Sequence, residues 1–135
     1  MILTILHILL YSFWFQTPNW QTKVDPLLLQ SFQQEAELEM LLVLQQQADL
    51  SYASQLTDKK AKNRYVFNQL YYTAQKTQTN LAQWLQTQGH EQRPLYIVNA
   101  IATKGDYSLL ATLAKRTDVK AIYANPDILM EMPIL

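Results

Sequence analysis

The strongest constraint on this chain is an apolar stripe of helical period running through Lys59 to Gln88. Val66, Leu70, Ala74, Thr77, Leu81 and Leu85 recur at steps of three and four residues, the spacing that places side chains on one face of an α-helix. Tyr65, Tyr71 and Trp84 flank the stripe. Thr57 or Asp58 can accept from the orphan N–H groups at its start, and Gly89 stands where a left-handed C-terminal cap is expected.

The segments around this helix have strand character. Met40 to Leu44, within Glu37 to Gln45, is an apolar run of strand length. After the helix, Leu95 to Val98 and Ala100 to Thr103 are β-prone runs broken at Asn99, either one bent strand or two short ones. Lys104-Gly105-Asp106 turns the chain, and Asp106 can cap a second helix, Tyr107 to Lys115, with Leu109, Leu110, Leu113 and Ala114 facing inward. Val119 to Tyr123 is a last short strand, stopped by Asn125-Pro126. Ahead of all this, Asp25-Pro26 supplies an N-cap and a first-turn proline for a short helix, Leu27 to Phe32. The order predicts an α+β, ferredoxin-like βαββαβ sandwich, a four-stranded antiparallel sheet with two helices on one face.

One sheet face of such a sandwich is left uncovered, so its strands should alternate apolar and polar. These do not. Met40 to Leu44 is apolar on both faces, Leu95 to Val98 nearly so, and the last strand has Val119 and Tyr123 on one side with Ile122 on the other. An uncovered apolar face implies a protein partner, unless Val24 to Phe32 or a second copy of the chain covers it.

The ends of the chain differ from its middle. Met1 to Phe15 is almost wholly apolar and shorter than the roughly 20 residues of a membrane span. It reads as the core of an export signal, with an uncleaved anchor or an incidental apolar tail as the other readings. The division is a leader and linker at 1–22, one domain at 23–127 and an extended arm at 128–135. Pro126 to Leu135 carries two prolines and no helix cap; it suits binding by strand addition or is a disordered end.

Composition removes most chemistry. Eleven basic residues balance eleven acidic ones, so the phosphate neutralisation that drives nucleic-acid binding is missing. There is no cysteine, hence no disulfide, thiolate metal site or thiol nucleophile. Two histidines, His7 and His90, and two glycines, Gly89 and Gly105, supply neither a Ser-His-Asp triad nor a phosphate-cradling loop. No catalytic residue, metal ligand or cofactor is assigned, and the chain is not expected to be an enzyme. Glu35, Glu37 and Glu39 share one side of an extended segment, and Lys59 to Arg64 forms a basic cluster; solvated surface accounts for both.

KVDPLLL at Lys23 to Leu29, EMLLVLQQQADLS at Glu39 to Ser51, RYVFNQL at Arg64 to Leu70, YIVNAIATKGD at Tyr96 to Asp106 and DVKAIYANPD at Asp118 to Asp127, in this order and spacing, resemble the N-terminal propeptide of bacterial subtilisin-like serine peptidases. The resemblance covers about Lys23 to Asp127. It implies a secreted or extracytoplasmic protein whose open sheet face packs on two surface helices of the protease catalytic domain, in cis or in trans, as a folding template. It also implies a C-terminal arm lying in the substrate cleft as a product-like inhibitor. On these positions the packing face would draw on Tyr96, Val98, Ile101 and Ile122. Asn125 and Asp127 would cap protease helices, and Ile128, Leu129, Met130 and Met132 would lie along the arm.

Overall fold

A computed structural model describes residues 19–125. A 3-10 turn at Trp20–Lys23 leads into α1 (Pro26–Ser31). Then come β1 (Leu38–Leu44), a second 3-10 turn at Ser51–Gln55, α2 (Lys59–Thr87), β2 (Gln92–Leu95), β3 (Ala100–Gly105), α3 (Tyr107–Ala114) and β4 (Val119–Ala124). The helix starts are fixed by carboxylates. Asp25 accepts from the Leu27 N–H with Pro26 at the first helical position, Asp58 accepts from the Ala61 N–H at 2.8 Å, and Asp106 accepts from the Leu109 N–H at 2.8 Å. Gly89 follows α2 at φ +80°, a conformation that costs any residue with a Cβ.

The sheet order is β2-β3-β1-β4, and every neighbouring pair is antiparallel. It follows that β1 and β2 run parallel with β3 between them, and that β3 and β4 run parallel with β1 between them. α2 joins the first of these pairs and α3 the second.

One continuous core lies between sheet and helices. Leu81 and Leu85 of α2 and Leu110 and Leu113 of α3 pack with Met40, Leu42, Ile101 and Ile122, all fully buried. Each such side chain stabilises the fold by about 1.5–3 kcal/mol through the apolar area it removes from water. The N-terminal segment joins the same core. Leu28 is buried in it, Val24 makes a parallel bridge to Ile122, and Lys23 Nζ donates to the carbonyls of Arg116 and Val119, both at 2.9 Å. Trp20 and Phe32 both meet the Tyr107 ring edge-on at the start of α3. This segment therefore flanks α3 and does not cover the opposite sheet face.

Two expectations need correction. The strand expected at Leu95 to Val98 is β2 at Gln92–Leu95, and Tyr96 to Asn99 is a turn, because Asn99 is held in a side-chain network that outweighs the β-propensity of Tyr96, Ile97 and Val98. In α2 the buried position is Gln78, with Thr77 only half-buried; the Gln78 side chain belongs to the same network.

Candidate functional site

Strand register decides what is carried by the sheet face that no described element covers. Leu38, Met40, Leu42 and Leu44 point to the helices, so Glu39, Leu41 and Val43 point away. Pairing then carries that face across the sheet. Val43 stands opposite Ala100 and Ala121, and Ala100 stands opposite Leu95; Leu41 stands opposite Ala102 and Tyr123, and Ala102 stands opposite Arg93. The result is two cross-strand rows, Leu95-Ala100-Val43-Ala121 and Arg93-Ala102-Leu41-Tyr123.

The alanines make a shape. Ala100 and Ala102 are buried with no described helix over them, since each sits between larger side chains on both neighbouring strands. They form the floor of a shallow trough along β3, walled by Arg93 and Leu95 on one side and by Leu41 and Val43 on the other, about 10 Å apart at two strand spacings. Tyr123, 48% exposed, stands at the far side. Charges gather at one end of this face, where Lys104 pairs with Glu39 across the strands and the Glu39 carboxylate accepts from Asn125 Nδ2 at 2.7 Å.

Both sheet edges are blunted. Leu44 N–H donates to the Asn99 carbonyl at 2.9 Å, which assigns the odd-numbered backbone groups of β3 to β1 and the even-numbered ones to β2. Within β2, Arg93 and Leu95 consequently bond to β3, and Pro94 turns its missing N–H toward solvent, the one place in a sheet that tolerates it. At the other edge, Asp25 N–H donates to the Ile122 carbonyl at 2.8 Å. Strand addition is thus disfavoured at β2, and this point of β4 is already occupied.

The residues expected from sequence divide into three groups. Ile101 and Ile122 are a correction: both are 0% exposed and lie under the helices, because each pairs with Leu42, whose side chain faces the core. Tyr96 and Val98 are exposed, but in the turn at the end of the sheet, so they border the face without forming it. Asn125 lies at the charged end with its amide donor engaged by Glu39. Asp127, Ile128, Leu129, Met130 and Met132 lie outside the described residues, as do the leader Met1 to Phe15 and His7. Leu41, Val43, Ala100, Ala102, Ala121 and Tyr123 were missed. Parity could have found the first two, since Glu39 marks the water-facing side of β1 and its period of two carries on to Leu41 and Val43.

The titratable groups with displaced pKa values lie away from this face. Arg116 makes a two-pronged hydrogen bond to Asp118, both prongs 2.8 Å, and stacks its guanidinium over the Trp84 ring at 5.8 Å. The hydrogen bond from Arg116 holds the Asp118 carboxyl below the ordinary carboxylate range, and the same bond raises Arg116. The pair ties the end of α3 to the start of β4. Among the described residues no three His, Cys, Asp or Glu side chains gather as a metal site, and no helix is long and apolar enough to cross a membrane. No family model, curated protein or solved structure matches the chain.

Proposed function

We propose that this chain is the propeptide of a subtilisin-like serine protease, a ferredoxin-like domain that templates the folding of the catalytic domain and then inhibits it. The observation that carries this reading is the trough over Ala100 and Ala102 on an apolar, uncovered sheet face. Helices present ridges of side chains, and a trough about 10 Å across accepts one such ridge between its walls. The resemblance calls for a face that packs on surface helices of the protease, and this face has the relief and the apolar character for that role.

The end of β4 supports the same reading: Asn125, the last described residue, stands beside Glu39 at the edge of the sheet, next to the proposed docking face. Export, with action outside the cytoplasm, belongs to the same proposal. The domain performs no chemistry. It supplies buried area and a cleft-filling strand.

The test is inhibition of a purified subtilisin-like catalytic domain by the chain, by its Ala102→Trp variant and by the chain ended after Pro126. Competitive inhibition weakened at least about tenfold by either change is expected, a loss of about 1.4 kcal/mol of binding. No inhibition by the unaltered chain, with the cognate and several related proteases, sinks the proposal.

A further inference from the structure

The long helix outruns the sheet it covers. α2 has 29 residues, about 43 Å at 1.5 Å per residue, against about 23 Å for the seven residues of β1. Every buried residue of α2 lies at or after Thr73. Its inward stripe nevertheless continues past the sheet: Lys60, Arg64, Phe67 and Tyr71 precede Ala74, Gln78, Leu81 and Leu85 at steps of four and three, which keeps all eight on one side of the helix.

This overhanging stripe is aromatic where it leaves the sheet and basic beyond it. Phe67 and Tyr71 stack with ring centres 5.8 Å apart and planes 8° apart, and Tyr96 from the β2–β3 turn stands edge-on to both. The three rings remain about half exposed, and next to them Ile97, 74% exposed, and Val98 form the tip of the turn. α2 also carries Lys59, Lys60, Lys62, Arg64 and Lys76 with no acidic residue in its 29 positions. Among the described residues, none of these five cations is in an ion pair. A chain of zero formal charge therefore has a distinctly positive end.

We propose that the overhanging half of α2 and the β2–β3 turn dock on an anionic lipid surface. The surface protrudes, as a helix end beside a turn tip, and protruding apolar side chains need a soft medium to enter. Tyr71 and Tyr96 combine apolar rings with polar hydroxyls, the character that places aromatic residues at the bilayer interface. Arg64 and Lys60 stand one and two turns behind Phe67, within reach of lipid phosphates as the rings enter, and clustered Lys and Arg on such a helix are attracted to anionic leaflets. The charge complementarity is with a negative surface, and the exposed Ile97 and Val98 tip selects a bilayer over a polar acidic partner.

The test compares partition of the full chain onto vesicles of mixed phosphatidylglycerol and phosphatidylcholine with partition onto phosphatidylcholine alone. The apolar leader contributes to both, so the readout is the ratio of the two partition coefficients. Expected is a ratio of about ten or more that falls toward one in high salt, where surface charge is screened, and in the Lys60→Glu/Arg64→Glu variant. Ile97→Ser, in an exposed turn, should weaken binding to the mixed vesicles several-fold. A ratio near one for the unaltered chain overturns the proposal and leaves an acidic protein as the partner of this surface. A ratio that survives the double charge reversal overturns it as well. Neither result bears on the protease-inhibition reading, which rests on the trough over Ala100 and Ala102.

Discussion

The side-chain amide of Gln78 donates to Asn99 Oδ1 at 2.7 Å, and both residues are almost completely buried. Around this bond a single asparagine joins three elements. Asn99 Nδ2 donates to the Gln46 carbonyl and to Thr77 Oγ1, its N–H donates to Gln47 Oε1, and its carbonyl accepts from Leu44 N–H and Gln47 Nε2. Gln78 also donates to the Leu95 carbonyl at 2.7 Å. β1, α2 and the β2–β3 turn are thereby locked at the end of the sheet from which α2 overhangs.

Replacing Asn99 with Ala should destabilise the protein by about 3 kcal/mol, since it strands several buried donors and acceptors at once. Gln78→Leu should cost about 2 kcal/mol, because Asn99 Oδ1 loses its donor. Urea unfolding followed by circular dichroism measures both. An Asn99→Ala loss below about 1 kcal/mol would mean that water replaces the network without penalty.

The two faces of the sheet should respond oppositely to charge. Ile122→Lys places an ammonium group in the core and should cost about 4 kcal/mol or more, enough to unfold a domain of ordinary stability. Leu41→Lys lies on the uncovered face and should cost about 1 kcal/mol or less. The same urea titration decides it, and equal losses would contradict the assignment of faces.

Acid should weaken the Arg116–Asp118 bridge. The Asp118 pKa is lowered from the ordinary 3.8 by its hydrogen bond to Arg116, so its contribution is complete above that value and is lost as pH falls through 3.8 and below. With the Asp118 side chain 36% exposed, solvent screening limits the effect to about 0.5–1 kcal/mol. In Asp118→Asn this acid-dependent part should vanish, leaving a flatter stability profile between about pH 5 and pH 2. Thermal unfolding across that range provides the comparison, and an unchanged slope in the variant would refute it.

Pro94 should act as a guard on the free edge. Pro94→Val restores an outward N–H on β2 without disturbing the bonds to β3, so the edge becomes competent to pair with another strand. Light scattering after gel filtration should show concentration-dependent association in the variant beyond any shown by the unaltered chain. No difference at high concentration would show that another feature protects this edge.

The helices and their starts follow from local sequence. Asp25, Asp58 and Asp106 each precede an apolar-periodic run, and each caps a helix by a bond that needs only its near neighbours. Gly89 ends α2 for an equally local reason. The existence of β1, β3 and β4 was legible from their apolar runs, and the order of elements already implied two helices over one sheet. Tertiary structure alone decided which side of β3 and β4 faces the helices. Apolar residues on both faces of these strands leave parity unsigned, and only the pairing of Leu42 with Ile101 and Ile122 turns those two residues inward and Ala102 outward. It also decided the turn at Tyr96 to Asn99 and the burial of Gln78, because both depend on hydrogen bonds between residues more than twenty positions apart, such as Asn99 with Gln46 and Thr77. Local periodicity carries no information about such bonds.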